Sequence, residues 1–322
     1  MKERILVTGA TGFIGRALVK ELVNKGFEVF TLYKSDQFEK RIEGVNMIGP
    51  IDLTSERSVE EIVNIKPEII VNLASRTPVR FSYSDPWDYF STNVRIAINV
   101  ANATIKANSH LIHASTAEVY PYTDRIYFWK ENELLYPTSP YAISKQASEA
   151  MIYNAFLKVR YAYHKNIVIL RPTNTFGRIL FDLPEEAKGY FIEKVIYAYL
   201  KDEKKLELDG HPLSSRQWMF YKDHVNAYLF MIDKLLQGGF PNPISAYNVA
   251  PQDIASCNDI VTYLIEQKGW KVTVEWMKNP RPIEPNYLFI STDMIRVLGW
   301  RESYNWFSGL EAILKGLEKV LG

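Results

Sequence analysis

Cysteine is nearly absent from this chain. Among 322 residues only Cys257 carries a thiol, which excludes an internal disulfide and a cysteine-built metal centre. An excess of either charge is also missing: 38 lysines and arginines face 37 acidic residues, for a net charge of +1. That balance supplies no field to draw nucleic acid or an anionic membrane, and neither is expected as a partner. No apolar run approaches the roughly 18 residues of a membrane span. The five histidines, at 110, 113, 164, 211 and 224, lack metal-ligand spacing, so no metal site is expected. No signal-peptide core precedes the first strand pattern, and the expected location is the cytoplasm. The sequence shows no internal repeat or low-complexity tract.

The rest of the composition is that of a folded protein, with 47% hydrophobic and 23% charged residues. The length allows one large or two medium domains. In the first half, short apolar runs alternate with helical patterns. "RILVTG" (4–9), "EVFTLY" (28–33), "VNMIG" (45–49), "EIIVNLA" (68–74), "HLIHAS" (110–115) and "NIVILRP" (166–172) read as strands. Helices are expected over 16–26, 58–65, 87–107 and about 141–163. Strands alternating with helices at this spacing predict an α/β fold with a Rossmann-like, doubly wound parallel sheet. Beyond about residue 175 the alternation loosens into mixed helices, short strands and proline-rich loops. The expected division is a dinucleotide-binding domain over 1–175 and a smaller mixed α/β substrate domain over 176–322. The stretch 218–250 is expected to return to the first.

Gly9, Gly12 and Gly15 of "VTGATGFIGRAL" stand between strand one and helix one. Glycines at that turn let backbone approach a pyrophosphate, whose charge the helix N-terminus stabilises. No Lys-Ser/Thr follows, so a triphosphate P-loop is not expected. The ribose of a dinucleotide is read at the end of strand two, where an acid favours NAD and a base accommodates the NADP phosphate. Here Tyr33 stands in the acid's place, followed by Lys34 and Ser35, with Arg16 as a second phosphate partner. The expectation is therefore NADP(H) over NAD(H), with Asp36 keeping NAD open.

"SPYAISKQASE" sets Tyr141 and Lys145 four apart just inside a helix start, on one face. A phenol of pKa ~10 is a poor base at neutral pH, but a neighbouring ammonium lowers that value. Tyr141 is then suited to exchange the proton of a sugar hydroxyl or ketone while hydride moves to or from a nicotinamide. Lys145 is also placed to hold the nicotinamide ribose. Tyr161/Lys165, Tyr190/Lys194 and Tyr197/Lys201 repeat the spacing but follow no hydroxyl-bearing strand end. They read as solvated helix faces.

With these motifs in order, the sequence resembles the extended short-chain dehydrogenase/reductase family, specifically its nucleotide-sugar epimerases, dehydratases and reductases. The resemblance implies that Thr11, Phe13 and Ile14 of "TGATGFIG" line the cofactor with the three glycines. It implies that Asp52 and Leu53 of "IDLT" contact adenine, and that Leu73, Ala74 and Ser75 of "VNLAS" flank the cofactor. "DPWDYFSTNV" carries Asn93, which the family buries near the active site. "ASTAEVY" brings Ser115, Thr116 and Glu118, and "RPTNTFG" brings Pro172 on the cofactor side and Asn174 toward substrate. Arg216 and Arg281 (the latter with Glu284) match arginines that grip the nucleotide diphosphate in relatives, in keeping with a guanidinium's planar fork for phosphate. Arg80 and Arg76, after strand four, are further substrate candidates. The family also implies a homodimer, built on helices 87–105 and 141–160.

One departure discriminates among reactions. Where dehydratases of the dTDP-glucose type place Asp-Glu after the threonine, this chain has Ala117-Glu118, so the acid is missing. The expected activity is hydride exchange at a ring carbon of a nucleoside-diphosphate sugar, at C4. An NADPH-consuming 4-ketoreductase fits Lys34 best. A 4-epimerase recycling NAD is the alternative, followed by a dehydratase or decarboxylase using Glu118. A non-enzymatic nucleotide-sensing module would be expected to lack the tyrosine, the lysine or the glycines, and all are present.

Overall fold

The computed structural model describes residues 2–34, 42–159, 162–178, 190–278 and 286–321, with the side chains of 318–321 left aside. Its chain contacts define two units. One comprises Met1–Val119, Leu135–Arg171 and Val225–Tyr247; the other comprises Tyr120–Leu134, Pro172–His224 and Asn248–Gly322.

The first unit is organised by a seven-stranded sheet. Its strands are β1 (Arg4–Thr8), β2 (Glu28–Leu32), β3 (Val45–Ile48), β4 (Ile69–Asn72), β5 (His110–Ala114), β7 (Ile167–Pro172) and β12 (Ile244–Val249), in the order β12-β7-β5-β4-β1-β2-β3. The pairs from β3 to β7 are parallel. The chain builds outward from β1 in one direction to β3, then returns to lay down β4, β5 and β7 on the other side. The crevice between β1 and β4 is therefore the switch point, where open α/β sheets bind ligands at the carboxyl ends of strands. β1 and β4 read as near-continuous aliphatic runs because both sheet faces are covered. Ile5, Leu6 and Val7 are wholly buried, as are Ile69, Ile70 and Val71.

The covering helices are α1 (Phe13–Asn24), α2 (Arg57–Ile65), α3 (Val79–Ser82), α4 (Pro86–Ala107), α5 (Pro140–Leu157) and most of α7 (Tyr221–Leu236). On one side Leu6, Ile70 and Leu111 pack with Ile62 of α2, Ile96 and Val100 of α4, and Ile152 of α5. Truncating one of these side chains to alanine costs about 2–5 kcal/mol. Two helix starts are written locally. Asp85 caps α4 by accepting from Asp88 N at 3.2 Å, and Ser139 caps α5 by accepting from Ala142 N at 3.1 Å. Each cap is followed by proline at the first helical position, where a missing N–H costs nothing.

Two helix boundaries differ from the sequence expectation by three residues or more. Helix α1 begins at Phe13, not Arg16, so the third glycine is already helical. Helix α5 stops at Leu157, short of 163. There Ala162 N and Tyr163 N both turn back to Val159 O, at 2.9 and 3.0 Å, and Tyr163 is buried with its hydroxyl donated to Ser109 O. Lys165 thus lies beyond the helix and pairs with Glu68.

The second unit has its own core, with Phe176, Trp218, Phe220, Leu264, Trp270 and Leu310 at its centre. Its strands are β6 (Phe128–Trp129), β8 (Thr175–Phe176), β9 (Lys205–Asp209), β10 (Ser215–Arg216), β11 (Met219–Phe220), β13 (Ala255–Ser256), β14 (Thr273–Met277) and β15 (Tyr287–Ile290). They form small sheets ordered β13-β10-β15-β6, β11-β8 and β14-β9. Helices α6 (Phe191–Leu200), α8 (Cys257–Lys268), α9 (Asp293–Val297) and α10 (Trp306–Leu321) complete it. Ser256 and Asp259 form a reciprocal capping box at the start of α8. No helix among the described residues is long and apolar enough to cross a membrane.

Candidate active site

The glycine loop leaves β1 and enters α1 with two of its three glycines under steric compulsion. Gly9 has φ +71°, and a Cβ there would sit 2.8 Å from Ala74 N. A Cβ on Gly15 would lie 2.1 Å from Gly9 O. Both positions are closed to any side chain by neighbouring backbone. Gly12 is different: it is exposed, and a Cβ there would meet only Gly9 O at 3.2 Å. Gly12 is also the N-cap of α1, no described side chain caps the helix, and its first turn holds no acid. A dinucleotide pyrophosphate fits this cradle, because the positive end of the helix dipole lies at the exposed Gly12. Thr11, Phe13, Ile14 and Arg16 are half-buried around it.

The loop is tied to β4 and β5 by a buried polar chain. Ala74 N donates to Thr8 Oγ1 (3.3 Å), Thr8 Oγ1 donates to Asn72 Oδ1 (2.6 Å), and Asn72 Nδ2 donates to His113 Nδ1 (3.0 Å). Leu73 N adds a bond to Thr8 O at 3.2 Å. Leu73, Ala74 and Ser75 are thereby held at the carboxyl ends of β1 and β4.

At the end of β2, Lys34 is exposed and forms an ion pair with Asp52, Nζ to Oδ2 at 3.0 Å. Asp52 Oδ1 also accepts from Thr54 N and Thr54 Oγ1, each at 2.8 Å. Partial burial pushes the Asp52 carboxyl up, but the donors from Thr54 and Lys34 outweigh it and hold the group below its ordinary range. Tyr33 is buried and donates its hydroxyl to Gly49 O at 3.1 Å. Leu53 is buried, with its carbonyl accepting from Asn99 Nδ2 at 2.8 Å. Ser35 and Asp36 lie outside the described residues.

Five further predicted residues lie where β5 ends and α5 begins. Ser115 and Thr116 follow β5 directly and are buried. Residues Ala117–Val119 make a single 3₁₀ turn in which Glu118, also buried, donates its backbone N–H to Thr116 Oγ1 at 3.2 Å. This turn packs against α5, whose first turns carry Tyr141 and Lys145. Tyr141 is half-buried; Lys145 is only 2% exposed. Burial lowers the Lys145 ammonium to about 8, and Glu149 opposes that fall.

Asn93 on α4 is engaged with the protein itself. Its Oδ1 accepts from Arg76 N at 2.6 Å, while its Nδ2 donates to Arg76 O at 3.2 Å and to Ser144 Oγ at 2.8 Å. Ser144 Oγ in turn donates to Tyr141 O at 2.6 Å. One amide therefore joins the loop after β4 to the tyrosine's own turn of helix. Arg80 is exposed on α3.

The second unit holds Pro172, Asn174 and Arg216. Asn174 O accepts from Met219 N at 2.9 Å, and Arg216 is buried with Nη1 donating to Ser215 O (2.8 Å) and Asn286 O (3.2 Å). Arg281 and Glu284 lie outside the described residues.

Sequence reasoning passed over Glu149 and Arg171. Arg171 donates from Nε to Glu149 Oε1 at 3.1 Å and from Nη2 to Oε2 at 2.7 Å. Ser115 Oγ donates to Glu149 Oε1 as well. A signal was available for Glu149, which stands four residues after Lys145 and so one turn along the same face. None marked its partner.

These features agree with what the chain resembles. A model of the NAD dependent epimerase/dehydratase family matches residues 5–250, and the chain belongs to that family. It is an enzyme of the extended short-chain dehydrogenase/reductase type. Mouse dTDP-D-glucose 4,6-dehydratase is 24% identical, over 98% of this chain and 89% of the mouse protein. A dTDP-4-dehydrorhamnose reductase from Aggregatibacter actinomycetemcomitans is 32% identical over 54% of this chain and 52% of its own. Among solved structures, Thermotoga maritima UDP-glucose 4-epimerase with UDP-glucose superposes with a TM-score of 0.84. It is 21% identical and covers 99% of this chain and 100% of its own, a likeness that shows the Rossmann-like fold.

Proposed function

We propose that this chain reduces or oxidises a ring carbon, C4, of a nucleoside-diphosphate sugar, working as a 4-ketoreductase. The observation that carries the proposal is that the turn following Thr116 packs against α5, whose first turns carry Tyr141 and Lys145, within the unit that also holds the glycine cradle. In this reading Thr116 Oγ1 hydrogen-bonds the reacting oxygen. Tyr141 gives that oxygen its proton in reduction and takes it in oxidation. Lys145, adjacent on the helix face, lowers the cost of the phenolate by its charge. A nicotinamide dinucleotide, when bound in the cradle, supplies the hydride.

Lys34 at the end of β2, with no acid on the strand end, supports NADP(H) as the cofactor. Asp52 stands beside Lys34, so the preference is modest. Ala117 in place of an acid speaks against a two-carboxylate elimination.

Turnover with UDP-glucose, UDP-glucuronate and dTDP-glucose, and with their 4-keto forms under NADPH, tests the reaction. Tyr141→Phe is expected to lower turnover at least about a thousandfold, since it removes the general acid–base; unchanged turnover in that variant would sink the assignment. The second reading, a 4-epimerase, draws support from the family. Mass spectrometry of molecules released on denaturation separates the two: tightly retained NAD marks the epimerase, and an empty protein stabilised by NADPH marks the reductase.

A further inference from the structure

Behind the Tyr141/Lys145 pair lies a buried charge cluster that the chemistry above does not use. Glu149 follows Lys145 by one helical turn and shares its face of α5. Arg171 reaches it from β7 with both prongs of its guanidinium, the geometry that binds carboxylate best. Ser115, next to Thr116, donates a third hydrogen bond from the end of β5. Ser115 itself is locked by its backbone N–H to Leu170 O at 2.7 Å. Glu149 and Arg171 are each 5% exposed.

A buried ion pair needs a reason to be there. Apolar residues of equal volume are often as stabilising or more so, because desolvation of both charges offsets their attraction. The reason here is the third charge. Lys145 and Arg171 are two buried cations, and Glu149 is positioned to neutralise one while attracting the other.

We propose that Glu149, clamped by Arg171 and Ser115, is a positioning residue that keeps Lys145 ordered and charged beneath Tyr141. The proposal rests on the catalytic reading of Tyr141 and Lys145 given above. Three other buried titratable groups, His113, Tyr228 and Glu118, belong to elements around this face. His113 of β5 is kept neutral, by burial first and by Lys145 second. Tyr228 of α7, beside Tyr141, is pushed toward its protonated form by burial. Glu118 sits in the turn after β5, one place beyond the alanine that follows Thr116.

The test is the protonation of Lys145 itself, read by NMR on the full chain labelled with [ε-¹³C]lysine, the resonance assigned by its loss in Lys145→Arg. Glu149→Gln is expected to lower the Lys145 midpoint by about one to two pH units, the coupling of unit charges about 6 Å apart at an effective dielectric near 20. Arg171→Gln removes a cation and moves the midpoint the other way. A purely structural role predicts lower melting temperatures without opposite titration shifts. Midpoints unmoved in both variants would overturn the proposal. If Glu149→Gln does not fold, Arg171→Gln and the charge-preserving Glu149→Asp decide it: upward movement in the first and less than half the predicted fall in the second support it, and no upward movement in the first overturns it. The catalytic reading fails separately, by retained turnover in Tyr141→Phe.

Discussion

Replacing Asp52 by asparagine tests whether the Lys34–Asp52 pair sets the choice between NAD and NADP. The carboxylate sits 3.0 Å from Lys34 Nζ, and both side chains are exposed. A ribose 2′-phosphate taken up by Lys34 would lie about 6–7 Å from the Asp52 oxygens, on the far side of the ammonium. With a phosphate charge near −2 and the dielectric of water, that repulsion is about 1.3 kcal/mol, or roughly tenfold in affinity. At physiological salt the Debye length of about 8 Å cuts this to about two- to threefold. Asparagine keeps an oxygen for the two Thr54 donors, so the local turn survives. Titration of NADP+ and NAD+ by calorimetry at low salt should show the NADP+/NAD+ affinity ratio rising about tenfold in Asp52→Asn. The gain should shrink as salt is added and vanish in Asp52→Asn/Lys34→Ala. A ratio that does not move, or that moves equally in the double variant, would show that the phosphate end of the cofactor is read elsewhere and that the reasoning is wrong.

Other outcomes follow from the same physical picture. Burial holds Lys145 at about 8 against an ordinary 10.5, so its charge costs the fold about 3 kcal/mol at neutral pH. Since the unfolded chain binds this proton more tightly, its contribution to stability improves as pH rises from 8 to 10.5. Lys145→Met should raise the melting temperature by a few degrees while abolishing turnover, and calorimetry showing a lower value would refute the assignment. His113 and His224 are depressed chiefly by burial, His224 to about 3. Their folded values lie below the unfolded one, so stability is intact above about pH 6.5 and is lost as pH falls, by about 2 kcal/mol from His224 at pH 5. Denaturant titrations at pH 7 and pH 5 measure that loss, and His224→Asn should reduce it by about 2 kcal/mol. Trp87 is 80% exposed on α4, with Phe90 beside it, and Met151 and Tyr153 are exposed on α5. Such apolar surface suits a homodimer, so light scattering at micromolar concentration should give twice the chain mass, and Trp87→Glu should give the monomer.

What could be read in advance was what is local in the chain. Aliphatic runs separated by helical patterns announced a parallel sheet, and the helical pattern from about residue 141 announced α5. The glycine spacing pointed to a cradle, and the four-residue step from Tyr141 put Lys145 on its face. The end of α5 was misjudged because Tyr163 leaves the helical path for a partner 54 residues away. Lys34 looked like an isolated base because Asp52, its ion-pair partner, stands after a different strand and meets it only through the pairing of β2 with β3.

The candidate site divides in the same way. By itself, the amino-acid order determined which residues could do the chemistry, since a tyrosine, a lysine and a hydroxyl-bearing strand end need only short-range geometry to be recognised. Only the tertiary structure decided their electrostatic setting. Ser115 and Arg171 reach Glu149 across 34 and 22 residues of sequence because β5 and β7 lie side by side in register. Burial then decides how much each charge matters, because a group's desolvation depends on everything packed around it and on nothing in its immediate sequence.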